Sequence, residues 1–269
     1  MFLLNSGQTG PRFVQPHIRL PAALIFDVDG TLAETEELHR QAFNATFAAE
    51  GLSWHWDAAA YRKLLEVAGG KERIAHFLQS RPEGHERAAH RIAELHAGKT
   101  ERYTALVADG PKLRPGVARL IGDARAAGVR LAIATTTSLP NVEALLSAAL
   151  GEGALGWFAV IGAGDVVPAK KPAPDIYLHV LERLGLPAEH CVAFEDSTNG
   201  LRAACAAGLP TVVTPGIYTE GDDFSGALAV VSDLGEPAAP YRHLAGAGAD
   251  GQLVTLDALG RWISVAVRS

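Results

Sequence analysis

Short apolar runs recur through the second half of the chain, each followed by a longer stretch with helical spacing. The runs are ALIF (23–26), VRLAIA (129–134), WFAVIGA (157–163), HCVAFE (190–195) and LPTVVT (209–214). They are too short and too continuously apolar for amphipathic helices, and read as strands buried on both faces. Between them, PGVARLIGDARAAG, PNVEALLSAAL, APDIYLHVLERLG and STNGLRAACAAG place apolar residues three and four apart, with Pro near several starts and Gly at several ends. This alternation predicts an α/β fold, a Rossmann-like parallel sheet with crossover helices, in which ligands bind at the carboxyl ends of the strands.

One connection departs from the pattern. After Asp29 the next such strand waits until Val129, and the stretch from about Glu36 to Ala108 has helical spacing, clearest in RQAFNATFAAEG and ERAAHRIAELHAGKTERYTALVADG. An α-helical cap domain over 34–112 is therefore expected, inserted into a catalytic core of 22–33 and 113–269. Its linkers would lie near Ala33–Thr35 and in DGPKLRPG, at the mouth of a site, where a lid belongs. Residues 1–21 read as a loosely held N-terminal extension. The tail LVTLDALGRWISVAVRS reads as a final amphipathic element packing on the core.

Composition narrows the partners. The 269 residues are 48% hydrophobic and 20% charged, with a formal net charge of −6, which fits an ordinary α/β protein and argues against nucleic acid as a partner. A phosphorylated substrate stays open, because a metal ion and a few basic groups reverse the field locally. Cys191 and Cys205 fall in a strand and a helix and read as free structural thiols. No apolar run approaches the roughly 20 residues needed to span a bilayer. A cytoplasmic monomer is expected, with a plastid address left open by the short basic, acid-free leader.

The candidate chemistry begins where the first strand ends, in ALIFDVDGTLAETEELH. Asp27, Asp29, Gly30 and Glu36 match four positions of a helix-loop-helix calcium loop, but Ile25 would occupy the first ligand position and a strand precedes where a helix is required. Helix capping explains one such Asp, not two flanking a valine before Gly-Thr. The remaining reading makes Asp27 a nucleophile toward a phosphate and Asp29 the acid/base that protonates the leaving alkoxide and activates water. That chemistry needs more carboxylate for a metal, a fixed cation and small donors. Each appears at a later strand end: Thr135, Thr136 and Thr137 in ATTTS, Lys171 in KKPAPD, and Glu195 with Asp196 in FEDSTNG. Asp196 is the preferred direct ligand of Mg²⁺, with Glu195 beside it or one shell out.

In order, DVDGT, ATTTS, KKPAPD and FEDSTNG resemble the four motifs of the haloacid dehalogenase superfamily, from about Ala22 to Tyr218. The helical insertion is similar to the cap of β-phosphoglucomutase and of many sugar-phosphate phosphatases. Within that group, FDVDGTLAETEELHRQAFN, WHWDAAAYRKLL, GGKERIAHFL, ATTTSLPNVEAL and PGIYTEGDDFSGA resemble the CbbY family, associated with Calvin-cycle genes. That resemblance implies hydrolysis of xylulose 1,5-bisphosphate to xylulose 5-phosphate. The alternative is a phosphatase or phosphomutase for another small sugar phosphate. The resemblance also implies Mg²⁺ on the Asp27 carboxylate, the Asp29 backbone carbonyl and the Asp196 carboxylate, with Thr135, Thr136 and Lys171 holding the transferring phosphoryl group.

A bisphosphate requires a second anion site, since a phosphate left unpaired in a closed cleft is costly. Lys71 and Arg73 in the GGKER turn are the candidates, set against a plain solvated turn. Glu36 and His39, within one helical turn of each other, can share a face toward the cleft. The resemblance places Glu36 on sugar hydroxyls and His39 near Asp29. Tyr61 reads either as a donor to the substrate or as a core tyrosine.

Overall fold

The computed structural model describes residues 19–80, 90–108 and 110–266. Most of the N-terminal extension, the start of ERAAHRIAELH and the last three residues lie outside them. A seven-stranded sheet has the order β3-β2-β1-β4-β5-β6-β7. The first six strands are parallel: β1 (Ala23–Phe26), β2 (Arg130–Ala134), β3 (Phe158–Gly162), β4 (Cys191–Glu195), β5 (Thr211–Val213) and β6 (Ala229–Val231). The last, β7 (His243–Gly246), runs antiparallel at the edge. The Rossmann-like core follows the expected topology. Strands β6 and β7 were not foreseen: β6 is three residues long, and β7 is largely exposed and carries no alternation to betray it.

Strand β1 sits between β2 and β4, where the order reverses, so both neighbours bring their carboxyl ends beside its own. The period of two divides its side chains between layers. Leu24 and Phe26 enter the larger core with Leu131, Ile133, Val192 and Phe194. The Phe26 and Phe194 rings stack at 4.6 Å. Ala23 and Ile25 face the other way with Ala132, Ala134 and Ala193, and these small residues let two helices approach the sheet closely.

Four described helices lie between β1 and Leu113: α1 (Glu36–Ala49), α2 (Ala58–Leu64), α3 (Gly70–Gln79) and α4 (Ile92–Val107). They enclose an apolar core of their own, with Phe43, Phe47, Trp56, Tyr61, Ile74 and Leu95 buried together. Helix α5 (Val117–Ala126) leads into β2, and after β2 come α6 (Leu139–Leu150), α7 (Asp175–Leu184), α8 (Thr198–Ala206) and α9 (Leu256–Ala266). Helix α9 lays Leu259 and Trp262 on the larger core, as its amphipathic pattern predicts. Among the described residues, no helix is long and apolar enough to cross a membrane.

The strand ends are tied together by a buried arginine that the sequence did not single out. Arg114, just after the helical insertion, donates through its guanidinium to the carbonyls of Gly30, Thr214 (2.8 Å), Pro215 (2.8 Å) and Ser232 (2.9 Å). Its backbone N–H donates to Leu32 O at 2.8 Å. The loops after β1, β5 and β6 thus share one cation. Arg114→Met, which keeps the chain length without the donors, should lower the unfolding free energy by about 2–4 kcal/mol. Urea denaturation checks this; a change below about 0.5 kcal/mol would show that the carbonyls find other partners.

Candidate active site

The loop after β1 turns on Gly30, which has φ +80°, and a Cβ there would run into the Asp196 carboxylate. Glycine is therefore required twice over, by conformation and by space. Asp27 is buried at the strand end, with its N–H on Phe194 O at 3.0 Å. Lys171, preceding Pro172 after β3, reaches back to it: Nζ donates to Asp27 Oδ1 (2.6 Å), Glu195 Oε1 (2.6 Å) and Ala134 O (2.9 Å). Asp27, Glu195 and Asp196 each offer a carboxylate oxygen within 4.8 Å of the others. Thr135, Thr136 and Thr137 line the same cavity as Asp27, Asp29, Lys171 and Asp196, a cleft of about 700 Å³.

Asp29 is gripped through a single oxygen. Its Oδ1 accepts from Thr35 Oγ1 at 2.6 Å and from His39 Nε2 at 2.8 Å, with the Tyr103 hydroxyl at 3.5 Å. On the other side of the imidazole, Lys99 Nζ donates to His39 Nδ1. The hydrogen bonds therefore fix the tautomer: neutral His39 accepts from the ammonium and donates to the carboxylate. Tyr103 stacks flat on His39 at 3.9 Å. Burial alone would raise the Asp29 carboxyl, but the charge and hydrogen bond of His39, with Thr35 and Lys99, hold it well below the usual carboxylate range. Burial lowers His39, against the pull of Asp29, and lowers Lys99 to about 7.

Above the cavity, Tyr61 OH donates to Glu36 Oε2 (2.7 Å) and Arg73 Nη1 donates to the Tyr61 oxygen (3.0 Å). Glu36, His39 and Arg73 line the cleft. Tyr61 does not: its ring is wholly buried in the aromatic core and its hydroxyl is engaged on both sides, so it stands behind the wall and orients the two charged groups. Lys71 departs further from expectation. GGKER is the first turn of α3 rather than a free turn, and residues two apart on a helix do not face each other. Arg73 points into the cleft, while Lys71 turns out to Asp165 at 2.7 Å, where Lys170 also binds at 2.7 Å. Lys71 and Asp165 line a neighbouring cavity of about 480 Å³.

A family model described as haloacid dehalogenase-like hydrolase matches residues 21–208. The chain belongs to that family. As a hydrolase of this group it is 57% identical, over 80% of its length and 93% of the relative's, to the CbbY protein of Cereibacter sphaeroides. It is 56% identical to the CbbY protein of Cupriavidus necator, over 84% of this chain and 91% of that one. It also resembles the crystal structure of a substituted CbbY from Rhodobacter sphaeroides in complex with xylulose-(1,5)bisphosphate, with 54% identity, a TM-score of 0.76, and coverage of 81% of this chain and 98% of that one. A second structure of that CbbY, in complex with phosphate, matches with a TM-score of 0.75, 55% identity, and coverage of 80% of this chain and 95% of that one.

The hydrolase site fits a hard cation. Its cluster is all oxygen, the donor type that Mg²⁺ takes. Burial pushes Asp27 up to about 7 despite Lys171, and pushes Asp196 well above its ordinary range, so the three carboxylates lack positive charge. Glu195 Oε2 is fully buried and has no hydrogen-bond partner among the described residues. Sequence reasoning missed Thr35, Lys99, Tyr103 and Tyr177. The spacing of His96, Lys99 and Tyr103 along α4 was the one available signal for two of them.

The buried Lys99 makes stability depend on pH. Its ordinary value is 10.5 and its folded value about 7, so between these the unfolded chain holds one more proton and raising the pH favours the fold. From pH 7 to 9 the wild type should gain about 2 kcal/mol of unfolding free energy relative to Lys99→Met. Parallel pH profiles from urea titrations would show instead that Lys99 keeps its proton in the fold, and would remove the lowered value.

Proposed function

We propose that the chain is a Mg²⁺-dependent sugar-phosphate phosphatase that works through an aspartyl-phosphate and hydrolyses xylulose 1,5-bisphosphate to xylulose 5-phosphate and phosphate. One juxtaposition carries this: Asp27 with Lys171 and the threonines on the sheet side of the cleft, facing Glu36 and Arg73 on the helical side. A nucleophile and its counter-charge thus stand opposite a buried cation suited to a second anion. The bisphosphate complex of the similar CbbY protein supports the substrate class.

In this reading residues 34–112 act as a lid over the core of 22–33 and 113–269. Asp27, Glu195, Asp196 and the Asp29 backbone carbonyl would hold Mg²⁺, which when bound offsets the repulsion between the Asp27 carboxylate and a phosphate. An oxygen of Asp27 attacks phosphorus in line, breaking the bond to the sugar oxygen. Lys171 neutralises charge between nucleophile and phosphoryl group, while Thr135 and Thr136 donate to its oxygens. Asp29 gives a proton to the departing alkoxide and then takes one from the water that attacks the aspartyl-phosphate. Held by Thr35 and His39 it is a carboxylate, so serving as an acid requires those donors to yield its Oδ1 and Asp29 to take up a proton from solvent when substrate enters. Glu36 accepts from sugar hydroxyls, and Arg73 forms charge-assisted bonds to the distal phosphate.

Asp27→Asn should abolish phosphate release, by about 10³-fold or more in kcat, while leaving the fold intact; turnover near wild type would remove Asp27 as nucleophile. Arg73→Ala should raise KM for the bisphosphate by about 10–100-fold, and far less for a monophosphate. Lys71→Ala, which breaks only an exposed ion pair, should change neither by more than about threefold. A phosphate-release screen with Mg²⁺ over xylulose 1,5-bisphosphate, ribulose 1,5-bisphosphate and β-glucose 1-phosphate tests the substrate. A preference for the first of less than tenfold, about 1.4 kcal/mol in the transition state, would overturn the specific assignment.

A further inference from the structure

Tyr177 lies in α7 on a face otherwise occupied by Ile176, Val180 and Leu184, all buried against the smaller core. An apolar ring would satisfy that packing. The hydroxyl is the exception: it donates to Glu195 Oε1, the oxygen that also accepts from Lys171 at 2.6 Å. The Lys171 ammonium stands 5.2 Å from the centre of the same ring. One tyrosine therefore contacts both partners of the Lys171–Glu195 pair from below, and is fully buried while doing so.

The effect on Glu195 is geometric. Its Oε1 is engaged by two donors, while Oε2 has none among the described residues, although it is fully buried. Gly200 gives this carboxylate room, since a Cβ there would collide with it. A buried carboxylate oxygen without a donor is expensive unless a cation or water completes it. A second donor on Oε1 also relieves Lys171, whose ammonium must serve Asp27 and Glu195 together.

We propose that Tyr177 is a positioning residue for the metal-holding cluster, fixing Glu195 by Oε1 so that Oε2 stays free for the cation and Lys171 stays on Asp27. This rests on the reading of Asp27, Glu195 and Asp196 as metal-holding. Without the hydroxyl, Glu195 leans on Lys171 alone and its carboxylate is free to rotate. The loss should appear first in cation affinity, because partners that orient metal ligands typically contribute 10–100-fold.

The test compares wild type, Tyr177→Phe and Val180→Ala, the last altering packing on the same helix without touching the hydroxyl. Mn²⁺ is titrated in, with the free ion read by electron paramagnetic resonance and Mg²⁺ as competitor; melting is followed without metal. Tyr177→Phe should weaken Mn²⁺ and Mg²⁺ binding about tenfold, and raise the half-saturating Mg²⁺ for phosphate release with little change in KM for substrate at saturating Mg²⁺. It should still melt cooperatively, and Val180→Ala should bind as wild type does. Equal affinity in wild type and Tyr177→Phe overturns the inference, as does equal weakening in both variants, which would mean packing alone is responsible. Wild type that binds neither ion overturns instead the metal-holding reading beneath it.

Discussion

Lys171 answers for a whole cluster of buried carboxylates. Asp27, Glu195 and Asp196 are buried at adjacent strand ends, and a single ammonium donates to two of them and to the carbonyl of Ala134. Buried carboxylates this close cannot all stay ionised without compensation. Burial and repulsion accordingly push Asp27 and Asp196 upward, while the two carboxylates outweigh burial and raise Lys171 above its ordinary value. The site is thus built short of positive charge, the condition that favours a hard cation.

Asp29, two residues from Asp27, experiences the opposite environment. Its surroundings supply donors rather than carboxylates, so it is held ionised where Asp27 is pushed toward neutrality. Two carboxylates on one loop are separated in character by what faces them. The donors to Asp29 come from helices α1 and α4 and the segment leading into α1, not from the sheet. The state of Asp29 is in this way coupled to where the inserted helices lie.

Much of this was legible in the sequence, for a physical reason. A parallel strand buried on both faces is a continuous apolar run; Asp27, Thr135 and Glu195 sit at or just past the end of one, and Lys171 lies further along the loop after β3. Asp27, Thr135, Lys171 and Glu195 could therefore be assembled before any coordinates. Strands β6 and β7 lacked that signature. Lys99, Tyr103 and Tyr177 were hidden because each sits within a helix, where a polar residue on a buried face looks like any other until its distant partner is known: Lys99 meets His39 sixty positions earlier. Lys71 and Arg73 show the converse error. They are neighbours in the chain, but the helix that carries them sends one to the cleft and the other to Asp165.

The inserted helices leave and rejoin the core at nearly one point. Ala33 and Leu113 pair in an antiparallel bridge, with Ala33 also bridged to Asp29, and Arg114 follows at once. To the sheet, everything between them is one loop whose ends are already pinned, and closing such a loop grows costlier only with the logarithm of its length. Asp27, Lys171, Glu195 and Asp196 therefore belong to the core, while Glu36, Arg73 and the donors to Asp29 arrive with the insertion. Replacing the insertion while the bridge survives would leave that cluster in place but release Asp29 from His39 and Tyr103, so any substitute helices must bring donors of their own.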